Sequence, residues 1–345
     1  MTALLEARHV TKVFGGGGIR KQPGNVALRD FSFHVDEAPP AITAVVGESG
    51  SGKTTLARLL LGLAEPTSGE VLYRGKDLRG LSREERKRFL RDVQVIFQDP
   101  YEVYNPFYKV DHVLETPIKK FKLASSRGQA RQLMEETLNA VGLRPEETLG
   151  RHPHQLSGGQ RQRIMVARAL LLQPRLIIAD EPVSMVDASL RATILESLRQ
   201  LHLRFGISIL YITHDLTTAY QISRNILVMY RGELAEAGDV DLVVKQPRHP
   251  YTQLLIQSIP QADPSHAWVG QEFAGNGAAH GPLGAEHCQF VARCPYAMDG
   301  CRQQDPPLFQ VDPRRAAACF LHRESPALAG SELERVLGTA VPAEA

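Results

Sequence analysis

A glycine-rich segment near the N-terminus constrains the fold of this chain more than any other feature. Residues 47–54 read Gly-Glu-Ser-Gly-Ser-Gly-Lys-Thr and fit the pattern G-x-x-x-x-G-K followed by Ser or Thr. The apolar run 41–46 predicts a strand before this segment, and residues 54–63 have the periodicity of a helix after it. Loop N–H groups and a helix N-terminus attract phosphate in that arrangement. The segment therefore predicts a nucleotide-binding loop within an α/β domain.

The side chains of this loop suit a nucleoside triphosphate. Lys53 is expected to contact the outer phosphates, and Thr54 to offer its hydroxyl to Mg²⁺. The predicted nucleotide contacts in this segment are Gly47, Glu48, Ser49, Gly50, Ser51, Gly52, Lys53, Thr54 and Thr55. Further along, the apolar run 176–179 leads into Asp180 and Glu181. A carboxylate at a strand end can hold Mg²⁺ through water, and the next acid can orient an attacking water.

The order of predicted elements favours two domains in a chain of 345 residues. Residues 1–240 predict an α/β nucleotide-binding domain, in which a parallel sheet is covered by helices and residues 5–14 and 26–35 form an antiparallel edge. Within it, residues 99–157 predict a helical subdomain. Residues 241–345 predict a tail with a Gly/Ala-rich linker at 270–284 and a small cysteine-containing domain. The other main predicted elements are strands 94–97 and 208–213 and helices 126–141, 159–172 and 188–205.

Composition and charge exclude several classes of protein. Hydrophobic residues make up 43% of the chain and charged residues 23%, which is ordinary for a folded globular protein. Because the formal net charge is only +2, no overall field attracts the chain to nucleic acid, and no nucleic-acid partner is predicted. No apolar run is long enough to span a bilayer, and the N-terminus lacks the apolar core of a signal peptide. A cytoplasmic location is the resulting prediction.

Four further segments carry a family resemblance. Residues 156–160 read Leu-Ser-Gly-Gly-Gln, a string that phosphate-loop ATPases generally lack. Gln98 follows a predicted strand and matches the family's Q-loop, residues 184–187 (Ser-Met-Val-Asp) match its D-loop, and His214 matches its switch histidine. With the phosphate loop, these segments occur in the family's order across about 5–238. The chain thus resembles the nucleotide-binding subunits of ABC transporters, with an ABC-type ATPase fold.

The resemblance implies an ATP site shared between two subunits that face each other head to tail. One subunit supplies the phosphate loop, and the other contributes residues in trans. The groups implied in trans are Ser157, Gly158, Gly159, Gln160 and Asp187. Such a site is physically reasonable, because Ser157 and the N–H groups after it begin a predicted helix.

The resemblance also implies the roles of the catalytic groups. Glu181 polarises the attacking water, His214 contacts the γ-phosphate, and Gln98 senses Mg²⁺ and water. The implied Mg²⁺ ligands are Thr54, Gln98 and Asp180. Phe14, at the end of the first predicted strand, is the candidate for stacking on adenine.

A narrower resemblance points to the importers of dipeptides, oligopeptides and nickel. Gln-Asp-Pro at 98–100, Asn-Pro at 105–106 and His-Pro-Tyr-Thr at 249–252 look like that group. It implies ATP hydrolysis that energises solute import at the cytoplasmic face of the membrane. The implied partners are a second ATPase subunit, identical or different, two permease subunits and an extracytoplasmic solute-binding protein. Peptide is the first expectation for the solute, with oligosaccharide and nickel as alternatives. A soluble ABC ATPase acting on nucleic acid or ribosomes is the alternative of another class.

All four cysteines lie in the tail, at Cys288, Cys294, Cys301 and Cys319. Clustered cysteines in a reducing compartment suggest a metal site before disulfides. Residues 288–296 resemble the C-terminal cysteine element of peptide-importer ATPases, which implies a 4Fe-4S cluster. Zinc and free thiols remain alternatives, although the chain has no pair of cysteines at the spacing of two to four residues that is typical of structural zinc sites.

Overall fold

A computed structural model describes residues 3–15, 24–99, 104–184, 186–259 and 287–338. The predicted Gly/Ala-rich linker at 270–284 lies outside these residues. The described residues divide into two compact units. One is drawn from Met1–Pro39, Thr43–Gly80 and Thr213–Ala345, and the other from Pro40–Ile42 and Leu81–Ile212.

The strands of the described residues are numbered in chain order. They are β1 (Ala3–Phe14), β2 (Asn25–Asp36), β3 (Ile42–Val46), β4 (Ser68–Tyr73), β5 (Lys76–Asp77), β6 (Val93–Ile96), β7 (Leu176–Asp180), β8 (Ser208–Thr213), β9 (Asn225–Tyr230), β10 (Glu233–Asp239), β11 (Leu308–Asp312), β12 (Arg315–Ala317) and β13 (Ala327–Leu328).

The α-helices are numbered in the same way. They are α1 (Lys53–Leu60), α2 (Arg83–Asp92), α3 (Asp111–Phe121), α4 (Arg127–Ala140), α5 (Pro145–Thr148), α6 (Gly158–Leu170), α7 (Ala188–Phe205), α8 (Leu216–Ile222), α9 (Val240–Lys245), α10 (Pro250–Gln257) and α11 (Asp299–Gln303). None of these described helices is long and apolar enough to cross a membrane.

The first unit contains antiparallel and parallel pairing. One sheet has the order β2-β1-β4-β5 and is antiparallel throughout. In the second sheet, β3 and β9 are parallel. The strands that follow in the order β9-β10-β12-β11-β13 pair with their neighbours in the antiparallel direction. The five residues of β3 are all buried, as expected for a strand covered on both faces.

The second unit contains β6, β7 and β8 as parallel neighbours. Helices α3 to α7 belong to it, and α6 is buried around most of its circumference, since the consecutive residues Ile164, Met165 and Val166 are all buried. The predicted helices 126–141, 159–172 and 188–205 correspond to α4, α6 and α7, and the predicted strand 208–213 has the bounds of β8. These predictions are confirmed.

The C-terminal strands were not predicted. β12 is only three residues long, too short for alternation to show in the sequence. It adds to the edge of β10, with Ala317 opposite Glu236. Arg315 is buried in it and is satisfied by Asp312 and by the Leu242 carbonyl at 2.8 Å. The described tail residues 287–338 therefore belong to the same compact unit as the phosphate-loop segment.

A buried glutamate in β10 makes the stability of the chain depend on pH. Glu236 is fully buried, and its carboxylate accepts the N–H groups of Arg248 and His249, each at 2.9 Å. Burial raises the pKa of Glu236 to about 7, although these hydrogen bonds act in the opposite direction. The folded state therefore holds a proton on Glu236 that the unfolded state releases at lower pH.

We expect the free energy of unfolding of the wild type, relative to that of Glu236→Gln, to fall as pH rises from about 4.5 to about 7. The glutamine cannot ionise, so the variant lacks this part of the pH dependence. The difference in free energy of unfolding between the wild type and the variant should decline by roughly 2 kcal/mol. Urea unfolding of both proteins at each pH measures it. Burial lowers the pKa of His249 to about 3, which produces the opposite slope, but that contribution is common to both proteins and cancels. A constant difference across this range would contradict the prediction.

Candidate functional site

The phosphate loop connects β3 to α1 with a backbone that requires glycine. Gly52 caps α1 at φ 102°, and a Cβ there would lie 2.5 Å from the Ala27 carbonyl oxygen. Gly47 has φ 155°, and a Cβ there would lie 2.2 Å from the Met229 carbonyl oxygen. Both contacts are closer than any side chain tolerates, so the loop keeps its shape only with these glycines.

Lys53 holds its ammonium group inside the loop. The side chain is buried, and Nζ donates to the Gly47 carbonyl at 2.6 Å, the Glu48 carbonyl at 2.9 Å and the Ser51 hydroxyl at 3.3 Å. The loop carbonyls therefore fix a positive charge where the sequence motif predicts phosphate. Thr54 follows on α1 and is exposed, so its hydroxyl is accessible.

Two other predicted residues of the first unit are exposed. Phe14 ends β1 with 44% of its surface exposed, and the Lys12 ammonium lies 5.1 Å from the centre of its ring. An exposed aromatic ring at a strand end is available for stacking. His214 lies in the turn between β8 and α8 and is exposed. The next residue, Asp215, caps α8 by accepting the Thr217 N–H at 2.8 Å.

The two predicted acids lie at the carboxyl end of β7 in the second unit. Asp180 is the last residue of the strand and is 9% exposed. Glu181 has φ 48°, a conformation that non-glycine residues seldom adopt. Its N–H donates to the Ile212 carbonyl at 2.8 Å, and its carbonyl accepts the Ser184 hydroxyl at 3.0 Å. These bonds hold a strained backbone at a predicted catalytic position, where such strain commonly occurs.

Gln98 lies beside Glu181. Its Nε2 donates to Oε2 of Glu181 at 3.1 Å. The contact arises because β6 and β7 are parallel neighbours, and each residue follows the carboxyl end of its strand. The amide therefore helps to orient the carboxylate that the family resemblance assigns to water activation.

The segment 156–160 forms the start of α6. Ser157 caps the helix: its hydroxyl accepts the Gln160 N–H at 3.2 Å, and the Gln160 side chain accepts the Ser157 N–H at 2.9 Å. This reciprocal pair is a capping box. Gly159 packs against Leu190, since a Cβ there would lie 2.8 Å from Leu190 Cδ1. Ser157 and Asp187 are exposed.

Comparison with known proteins agrees with these features. A family model described as "ABC transporter" matches residues 28–184, and one described as "Oligopeptide/dipeptide transporter, C-terminal region" matches residues 235–301. The probable peptide ABC transporter ATP-binding protein y4tS of Sinorhizobium fredii is 41% identical over 95% of this chain and 92% of its own length. The chain belongs to the ABC transporter ATP-binding protein family. The di/tripeptide transport ATP-binding protein DppF of Pseudomonas aeruginosa is 39% identical over 92% of this chain and 97% of its own length.

A solved structure supports the ABC ATPase fold. The dimeric ATP-binding cassette MJ0796, in a post-hydrolysis state bound to ADP and Pi, matches with a TM-score of 0.60 and 28% identity. The match covers 68% of this chain and 98% of that chain. As a member of this family, the chain is an ATPase with a mixed sheet and covering helices.

The prediction of a 4Fe-4S cluster in this ABC ATPase is wrong. Among the described residues, which include all four cysteines, no group of three or more His, Cys, Asp or Glu side chains could hold a metal ion. The four cysteines line a cavity of only about 10 Å³ together with His249 and mostly apolar side chains, which is room for about one water. Burial raises the pKa of Cys288 to about 12 and that of Cys319 to about 11, which disfavours the thiolate form of both side chains. No zinc-binding group is found among the described residues either.

The aromatic residues after Gln98 divide into a core group and a surface group. Tyr101 lies outside the described part of the chain. Tyr104 is buried, and its hydroxyl donates to the Arg161 carbonyl at 2.9 Å. Phe107 is 87% exposed and Tyr108 52% exposed, so an apolar surface lies directly after the Asn-Pro pair.

No sequence pattern indicates two residues that contact the phosphate loop. Tyr251 and Arg293 both make hydrogen bonds to Glu48. Tyr251 lies in the His-Pro-Tyr-Thr element, in which the sequence indicates a family resemblance and no contact with the loop. Arg293 lies between the first two cysteines, Cys288 and Cys294, whose spacing draws attention to the thiols and not to the arginine.

Proposed function

We propose that this ABC ATPase hydrolyses ATP to energise the import of dipeptides or oligopeptides. One observation supports the peptide assignment most: similarity to peptide-transport ATP-binding proteins extends through residues 235–301, beyond the ATPase domain itself. That C-terminal match argues against a soluble ABC ATPase that acts on nucleic acid or ribosomes. We propose that residues 1–240 are the ATPase domain, with a helical subdomain at about 99–157, and that 241–345 form the importer-type tail.

In this proposal, each side chain has a role in ATP hydrolysis. The phosphate loop binds the phosphates, with the Lys53 ammonium as counter-charge, and Phe14 stacks on adenine. Glu181 orients and polarises the attacking water, while Gln98 holds its carboxylate and His214 contacts the γ-phosphate. The oxygen atoms of Thr54, Asp180 and Gln98 are the kind of ligand that Mg²⁺ prefers. Mg²⁺ neutralises charge on the phosphates when it is bound.

A second ATPase chain completes each site in the proposal. Ser157, the backbone of Gly158 and Gly159, Gln160 and Asp187 act on the ATP of the partner chain. The capped N-terminus of α6 supports this role, because it presents N–H groups and partial positive charge to phosphate. The exposure of Ser157 leaves that end of the helix accessible.

The remaining partners are two permeases and an extracytoplasmic solute-binding protein. We propose that Phe107 and Tyr108 help to dock a permease, because exposed aromatic side chains are typical anchors of protein interfaces. The chain would then be a peripheral protein on the cytoplasmic face of the membrane.

Peptide uptake tests the proposed function. Cells that lack this chain but retain its permeases and binding protein should lose uptake of a labelled tripeptide. The wild-type chain should restore uptake, whereas Glu181→Gln should restore less than about a tenth of it, because ATP hydrolysis drives the transport. Labelled maltotriose and Ni²⁺ serve as the other substrates. Restoration of sugar or nickel uptake without peptide uptake would contradict the peptide assignment.

A further inference from the structure

Glu48, the second residue of the phosphate loop, is held at its backbone and at its side chain. Its N–H donates to the Tyr251 hydroxyl oxygen at 2.9 Å. Its carbonyl accepts the Lys53 ammonium at 2.9 Å and the Ser51 N–H at 3.1 Å. Its carboxylate accepts two N–H groups from the Arg293 guanidinium, at 3.0 and 3.1 Å. Tyr251 and Arg293 thus connect the C-terminal region to the loop that holds Lys53.

Aromatic rings hold Arg293 in this position. Its guanidinium carbon lies 5.9 Å from the ring centre of Tyr230 and 5.6 Å from that of Phe290. The Phe290 ring itself packs against Tyr230 at 5.3 Å and Tyr251 at 5.6 Å. A bidentate pair braced by rings has a defined orientation, unlike an ordinary surface ion pair. The arrangement therefore restricts where the Glu48 carboxylate can lie.

The pair also changes the charge of the loop. An uncompensated carboxylate at Glu48 would repel a triphosphate bound by the same loop. Arg293 neutralises it at close range, and the side chains are only 25% (Arg293) and 40% (Glu48) exposed, so water screens the pair incompletely. Burial opposes the charge on Arg293, but hydrogen bonds with Glu48 and Tyr230 outweigh it and raise the pKa of Arg293 above its ordinary value.

We propose that Arg293 is a positioning residue for ATP: it neutralises the Glu48 carboxylate and, together with Tyr251, holds the Glu48 peptide unit in the phosphate-binding conformation. This inference rests on the proposed function, because it requires the loop to bind ATP. It gives the segment 288–294 a direct part in nucleotide affinity. The chemical step depends on Glu181 and not on this contact, so loss of Arg293 should affect binding rather than turnover.

The test compares nucleotide affinity in matched variants of the full chain. Calorimetric titration with Mg²⁺ and the non-hydrolysable analogue AMP-PNP should show a Kd for Arg293→Ala about tenfold above that of the wild type, as expected for loss of a partly buried bidentate pair. Arg302→Ala is the control, because Arg302 is an exposed arginine of α11, nine residues further along the C-terminal region. Its Kd should equal that of the wild type. In the assembled importer, KM for ATP should rise in Arg293→Ala while kcat stays within about twofold.

Rescue separates the proposed role from a general loss of structure. The double variant Arg293→Ala/Glu48→Gln removes the uncompensated charge, so its Kd should return to within about threefold of the wild type. An affinity in Arg293→Ala equal to that of Arg302→Ala would overturn the inference and leave the proposed function intact. A loss that Glu48→Gln does not reverse would also overturn it, since the effect would then not arise from the Glu48 charge. No binding by the wild type would overturn the proposed function as well.

Discussion

Replacement of Glu181 by glutamine is expected to lower kcat for ATP hydrolysis by about 100- to 1,000-fold, the usual contribution of a positioned carboxylate to water activation. Glutamine keeps the shape of the side chain, and its amide oxygen can still accept the hydrogen bond from Gln98. It cannot polarise water as a carboxylate does. Affinity for ATP should therefore stay within about twofold of the wild type, and the ATP-bound dimer should accumulate.

Steady-state phosphate release and size-exclusion chromatography with ATP measure these two effects. Glu196→Gln is the matched control, because Glu196 is an exposed glutamate of α7 whose carboxylate pairs only with Arg199 and Gln200 of the same helix among its described contacts. Its turnover should equal that of the wild type. Turnover near the wild-type value in Glu181→Gln would remove Glu181 from the catalytic role.

Replacement of Ser157 by arginine is expected to lower ATPase activity by about 100-fold or more, since a bulky side chain at the N-terminus of α6 blocks the approach of a partner's phosphate. The isolated wild-type chain should show activity that rises with protein concentration, because each site needs groups from two chains. Ser157→Arg should lack that rise at every concentration tested. The measurement is phosphate release over a range of protein concentrations.

Ser126 offers a matched control in the same unit. It caps α4 as Ser157 caps α6, and its hydroxyl accepts the Gln129 N–H at 3.2 Å. Ser157→Arg and Ser126→Arg should each lower the free energy of unfolding by about 1 kcal/mol through loss of the helix cap. Only Ser157→Arg should lose activity. Equal activity losses in the two variants would show that the effect comes from helix stability and not from a shared site.

Apolar periodicity and the glycine motif predicted helices, strands and a turn that depend on residues close together in the sequence. The bounds of α7 and β8 agree with their apolar periodicity, and the glycines of the phosphate-loop motif lie where the turn after β3 takes positive φ, at Gly47 and Gly52. The proximity of Gln98 and Glu181 also has a simple origin. Their strands, β6 and β7, are parallel neighbours, which brings the residues after each carboxyl end together.

Contacts between distant residues could not be predicted in this way. Arg293 and Glu48 are separated by 245 positions, and no periodicity connects them. For the cysteines, the sequence predicted a feature that the structure does not have. Their clustering indicated metal ligands, but the chemistry of a thiol depends on its environment in the folded chain. Burial raises the pKa of the Cys288 thiol, and the cavity that the cysteines line has room for about one water. That environment depends on how the tail folds onto β10, which short strands such as β12 do not reveal in advance.

The central claim, that this chain couples ATP hydrolysis to peptide import, is tested most directly with the purified importer in lipid vesicles. The chain, its ATPase partner and the permeases are reconstituted, and phosphate release is measured together with tripeptide accumulation. We expect the peptide-loaded binding protein to stimulate both, and Glu181→Gln to abolish both. Stimulation by a sugar- or nickel-loaded binding protein in place of the peptide-loaded one, or ATP hydrolysis with no accumulated peptide, would contradict the claim.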